Sequence, residues 1–176
     1  MIERAYSPIR WLPKFTKIQL SGILEAGLKV LKESSASTLK WEADLNLLLA
    51  ACRAMEQPLE KAYVLLLISE AAAHKDDLEK ARVLLAEGLS LCIDKSENQA
   101  ILEWVLGSVE WWLRSGITGY KHWTNARETL DFLNKAAVKN HQDEKAAWTK
   151  KCSVKMDSLV VEMTGSVKGG YLLFNR

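Results

Sequence analysis

Three cysteines, three histidines and one run of lysines are the side chains here that could do chemistry, and their spacing speaks against most of it. Cys52, Cys92 and Cys152 lie far apart, and no pair has the short separation of a metal site or a redox dithiol. Each falls on an apolar helical stripe, which reads as a reduced core thiol and points to a reducing compartment. His74, His122 and His141 stand at no metal-ligand spacing. The run His74-Lys75-Asp76-Asp77 could supply ligands, yet a solvated turn with an acidic helix cap accounts for it without a metal. Gly165, Gly169 and Gly170 lack the strand-then-helix setting of a phosphate loop and read as a linker. No nucleophile motif accompanies the serines, cysteines or lysines. The expectation is a non-enzymatic chain with no catalytic residue, metal or cofactor.

The lysines Lys145, Lys150, Lys151 and Lys155 lie beside Trp148 near the C-terminal end. Nucleic-acid binding would need such charges on an exposed face with stacking aromatics, and no recognition-helix signature accompanies them. They read as the solvated face of a helix. The net charge of +2 is too small to imply nucleic acid. Residues 61–115 carry 6 basic and 9 acidic side chains, and residues 116–176 carry 10 and 6, an asymmetry able to orient a partner. No apolar run approaches a membrane span, and the N-terminus lacks the layout of a signal peptide, so the expected location is cytoplasmic.

Such residues need elements to hold them, and the chain reads as helical throughout. At 176 residues with a 48% apolar fraction, it can bury one sizeable core. With 3 Pro and 9 Gly it lacks the turn density of a β-sandwich. Residues 1–15 read as an irregular, partly packed arm. Leu20, Leu24, Leu28 and Leu31 recur at helical spacing, as do Trp41, Leu45, Leu48, Cys52 and Met55. The serines at 34, 35 and 37 end the first of these helices and cap the second. Pro58 opens a third, about 58–74, which is apolar nearly all round and so is covered on more than one side. Asp76 with Glu79, and Ser96 with Gln99, have capping-box spacing ahead of a fourth helix and a fifth, about 97–114. Residues 115–119 break the chain before a sixth, about 120–139. Asn140 can cap a seventh, striped by Trp148, Cys152, Met156, Leu159 and Met163. Residues 165–176 form a tail. Seven helices on short links imply antiparallel neighbours in a single all-α domain spanning 1–176.

One stretch carries more information. Ala81, Leu85 and Gly88 place two small residues seven apart with a large one between, after Ile68 and Ser69 on the preceding helix. This resembles the tetratricopeptide repeat, a helix pair of about 34 residues in which small residues permit a close crossing and large ones fill the space between. A second unit puts Leu106-Gly107 in register. It then departs, because Glu103 and Glu110 fill aromatic positions with Trp104 and Trp111 one residue away. Gly27 is the anchor of the first helices.

The resemblance implies a right-handed α-solenoid that binds a peptide or helix of another protein in a groove lined by the first helix of each pair. On this register the groove positions include Tyr63, Glu70 and His74 in one unit and Trp104, Ser108 and Trp111 in the next. Positions 104, 108 and 111 also share a helix face, where indoles would give a peptide apolar anchors. The implied function is an interaction scaffold or adaptor. The alternative is a helical regulatory or sensor domain of a larger, nucleic-acid-associated multidomain protein.

Overall fold

The structure, a computed structural model, describes residues 2–11, 22–33, 37–113 and 115–164, and every regular element among them is helical. A short helix α1 (Ile2–Tyr6) runs into a 3-10 turn (Ser7–Trp11). Then follow α2 (Gly22–Glu33), α3 (Thr38–Arg53), α4 (Pro58–His74), α5 (Leu78–Ser90), α6 (Glu97–Trp112), α7 (Gly116–Lys139) and α8 (Asp143–Thr164). The seven expected helices are present as α2 to α8. The N-terminal arm, expected to be irregular, is helical from Ile2 to Trp11. Pro8 falls in the first turn of the 3-10 segment, where its missing N–H leaves no bond unmade. The serines at 34 and 35 and the 165–176 tail lie outside the described residues.

Local chemistry sets the helix ends. Pro58 opens α4 as expected. Ser96 caps α6, its hydroxyl accepting from the Gln99 N–H at 3.2 Å, while the Gln99 side chain accepts from the Lys95 N–H at 2.5 Å. The cap of α5 differs from expectation by one residue. Asp77, not Asp76, accepts from the Lys80 N–H at 3.0 Å, because Asp76 is spent on the turn itself at φ 61°. Ser37 precedes α3 but makes no side-chain cap bond. Asn140 ends α7 instead of starting α8, and His141 at φ 54° reverses the chain.

The largest difference concerns the Gly116–Gly119 stretch, expected as a break. It is the first turn of α7, and Gly119 is buried. The reason is a contact that sequence spacing does not display. A Cβ on Gly107 would stand 2.8 Å from the Gly119 carbonyl oxygen, and one on Gly119 would stand 2.8 Å from that of Gly107. The two glycines let the backbones of α6 and α7 touch.

Consecutive helices pack as antiparallel pairs, the arrangement of a helical solenoid. Even-numbered helices α2, α4 and α6 also pack side by side, forming a layer of their own. Ion pairs tie helices two apart. Lys32 of α2 meets Glu70 of α4 at 2.6 Å, Arg53 of α3 makes a two-pronged pair with Glu87 of α5 at 2.9 and 2.8 Å, and Lys145 of α8 meets Glu97 of α6 at 2.5 Å. Helix α4 touches α1, α2, α3, α5 and α6, which is why its sequence is apolar nearly all round. Helix α6 is more deeply enclosed, with every residue from Ala100 to Glu110 buried. Ala81, Leu85 and Gly88 are buried as well, and a Cβ on Gly88 would lie 3.3 Å from the Ala62 carbonyl oxygen of α4.

The glycine geometry predicts a graded series in thermal melts. Gly107→Ala and Gly119→Ala each press a methyl onto a backbone oxygen that cannot yield, and Gly88→Leu overfills a tighter-than-average contact. Each should cost about 1–3 kcal/mol despite better helix propensity. Gly22→Ala meets nothing within 4 Å and should leave the midpoint unchanged or raise it. An unchanged midpoint in Gly107→Ala would contradict the close crossing.

Candidate functional site

The six residues assigned to a groove divide into two groups. On α4, Tyr63 is half-buried and lies within reach of the Glu70 charge, and burial pushes its phenol pKa up. Glu70 is engaged by Lys32. His74 is exposed in the last turn of α4. On α6 the arrangement differs from a lined groove. Trp104 is 1% exposed and Ser108 is 0% exposed. The Trp104 ring stacks on Trp123 of α7, with centroids 5.5 Å apart and planes 24° from parallel. The Trp123 indole N–H lies 3.2 Å from both the Trp104 carbonyl oxygen and the Ser108 hydroxyl. Trp111 is partly buried and packs at 5.6 Å against Tyr120 and 5.7 Å against Trp123. These indoles join α6 to α7, and Trp104 and Ser108 present no surface to a partner.

Beside this cluster sits a polar knot. Glu103, buried on α6, is held by His122 Nδ1 and by the Asn125 amide at 3.4 Å, both from α7. The Trp104 indole N–H has no acceptor among the described residues.

The face of the even-numbered layer is instead occupied by the chain's own beginning. Helix α1 lies against α4 and α6, and the 3-10 turn lies against α6. Ala5, Tyr6 and Ile9 are buried there, with Ile2 partly buried beside them. Arg4 reaches Glu162 of α8 at 3.6 Å. The Tyr6 ring is enclosed near Ser69 and Glu70 of α4, and desolvation drives its phenol pKa well above the usual range. Its hydroxyl has no hydrogen bond of good geometry among the described residues, and the nearby Ser69 hydroxyl donates to the Leu66 carbonyl of its own helix, 2.7 Å away. Ser69 and Glu70 therefore belong to a face that already holds a short helical segment anchored by an aromatic residue, with Tyr63 two turns before Glu70 on α4.

Sequence reasoning missed this segment. The available signal was Ile2, Tyr6 and Ile9 at steps of four and three, one face of a helix. Pro8 and Pro13 outweighed it.

No group of three or more His, Cys, Asp or Glu side chains among the described residues could hold a metal ion. No helix there is long and apolar enough to cross a membrane. Comparisons with protein-family models, with curated proteins and with solved structures find no match to this chain.

The cysteines are unpaired; Cys52 and Cys152 are buried and Cys92 is partly so. Desolvation pushes their thiols up to about 11 for Cys52 and about 12 for Cys92 and Cys152. A raised thiol pKa leaves little thiolate at neutral pH, so a disulfide-exchange label should react slowly with the native protein at pH 7.5. Labelling should reach three equivalents quickly only in denaturant. Rapid native labelling of all three would refute the packing. The indole stack makes a second prediction. Trp104→Ala should lower stability by about 3–5 kcal/mol, whereas Trp104→Phe, which removes the unpaired donor along with some volume, should cost less than half of that. Denaturant titration of both variants checks the ordering.

Proposed function

We propose that this chain is a non-enzymatic protein-interaction scaffold or adaptor, similar in architecture to tetratricopeptide arrays. In this reading it receives a peptide or short helix on the face of α4 and α6, in exchange for its own residues 2–11. One observation carries the reading. Residues 2–11 bury Ala5, Tyr6 and Ile9 on that face, so the surface already accommodates a helical peptide with aromatic and aliphatic anchors. Apolar anchors at helical spacing are the usual way an amphipathic segment docks in such a groove. The partner segment would present an aromatic residue in the place of Tyr6, flanked by basic residues as Arg4 and Arg10 flank it. Tyr63 and Glu70 belong to the receiving face, while Trp104, Ser108 and Trp111 support it from behind.

A segment tethered in the same chain competes at an effective concentration of about millimolar. The wild-type protein should therefore bind a fluorescent peptide of residues 1–11 weakly. The double variant Tyr6→Ala/Ile9→Ala, with its own arm weakened, should bind that peptide roughly tenfold or more tightly by fluorescence anisotropy. Circular dichroism establishes that the variant remains folded. A folded variant that takes up no peptide at millimolar concentration would refute the exchange.

A further inference from the structure

Among the described residues α2 and α3 are the first antiparallel pair, so one face of this pair has no preceding pair to cover it. The end of a helical array is ordinarily closed by a polar outer face. Here it is apolar. Leu39 and Leu47 of α3 are 81% and 71% exposed, and Val30 of α2 is 53% exposed. Ala43 is exposed between the two leucines, so α3 carries a solvent-facing apolar stripe at steps of four. Between the helices opens a recess of about 250 Å3, lined by Gly27, Val30, Leu47, Leu48 and Ala51, with Asp44 its one charged residue. The N-terminal arm, seated on α4 and α6, leaves these side chains in water.

We infer that the outer face of α2 and α3 is the contact of a symmetric homodimer, in which Leu39 and Leu47 interlock about Ala43 and Lys40 pairs with Asp44 across the axis. The stripe is self-complementary, because Leu39 and Leu47 stand four residues to either side of Ala43. Rows at steps of four pack against their own kind at a crossing of about −50°. With Ala43 on a two-fold axis, Leu39 of each copy meets Leu47 and the adjoining recess of the other, and the small Ala43 side chains let the backbones approach. The charges match as well. Lys40 and Asp44 lie one turn apart on the same flank of the stripe, and neither is paired among the described residues. A two-fold axis reverses their order, which brings Lys40 of each copy to Asp44 of the other. The size is sufficient. The 16 residues of α3 run about 24 Å and two helices are about 20 Å wide, so the paired faces cover roughly 1,000 Å2 in total. Specific interfaces begin near that area. The contact uses other helices than the exchange of residues 2–11 and stands without it.

Sedimentation velocity of the full chain between roughly 1 μM and 1 mM tests the contact. The wild-type protein should pass from monomer to dimer within that range, as suits an interface at the lower limit of size. Leu39→Lys and Leu47→Lys should each weaken association roughly tenfold or more. Both positions are exposed, so the variant monomers should keep the wild-type fold and melting midpoint by circular dichroism. Lys40→Asp and Asp44→Lys should each weaken the dimer, and the two together should restore it. Ala43→Cys tests the axis, since mild oxidation should give a disulfide-linked dimer on a non-reducing gel. Glu79→Cys, exposed on α5, should give none beyond the background of the native thiols. Tyr6→Ala/Ile9→Ala should dimerise as the wild type does, which separates this contact from an exchange of arms between copies. The inference is overturned if the wild type stays monomeric throughout the range, if the dimer survives Leu47→Lys, or if Tyr6→Ala/Ile9→Ala abolishes it. It is equally overturned if Leu47→Lys lowers the melting midpoint where the wild type is monomeric, because the stripe is then packed within one copy.

Discussion

The touching backbones of Gly107 and Gly119 set the position of everything around α6. A methyl group at either place would meet the opposing carbonyl oxygen at 2.8 Å, so only glycine allows the two helices this separation. At that distance the Trp123 indole slides over Gly107 and reaches both the Trp104 carbonyl oxygen and the Ser108 hydroxyl. Stacking of Trp104 on Trp123 follows from the same closeness. An aromatic block of this kind is rigid and densely packed, so the helix it backs has little freedom to shift. Helix α6 is thereby fixed on one side, and α4, α5 and the N-terminal arm take their places against its others.

Polar groups inside this assembly are placed with comparable economy. Two of the three buried carboxylates of α6 meet partners from later helices: Glu97 is met by Lys145 and Glu103 by His122 and Asn125. A buried charge left unpaired would be strongly destabilising, whereas a matched one mainly selects which helices lie side by side. The pairs link α6 to α8 and α6 to α7, so they favour one order of helices over others. On the surface, Arg53–Glu87 and Lys32–Glu70 do similar work between helices two apart, at lower energetic weight because their side chains are partly in water.

Much of the fold was legible because its signals are local. Helical stripes located α2 to α8, Pro58 and Ser96 marked two starts, and the all-round apolar character of α4 announced its coverage. The misreadings came from residues whose meaning depends on distant partners. Gly119 looks like a breaker until Gly107 is seen opposite it. Glu103 and Glu110 read as departures at two aromatic positions of a repeat, yet both are buried on α6. Trp104 looks like a hot spot because an indole on a helix face suits a ligand and a neighbouring helix equally well. The face under residues 2–11 was half legible: Glu70 stands near Tyr6 on it, but the segment that covers it was hidden by two prolines and is helical only in short pieces.

In a stack of helix pairs each unit ordinarily contacts its sequence neighbours, so stability propagates along the array and its ends fray independently. The arm departs from that scheme, since Arg4 pairs with Glu162 at the far end of the described chain. Residues 2–11 are synthesised before α8, so the contact of Arg4 with Glu162 can form only after α8 has been made. The closing contact spans nearly the entire sequence, the kind of long-range pairing that forms late and slowly. Being largely in water it adds little energy of its own, but it makes α1 and α8 neighbours in space although they stand at opposite ends of the described residues.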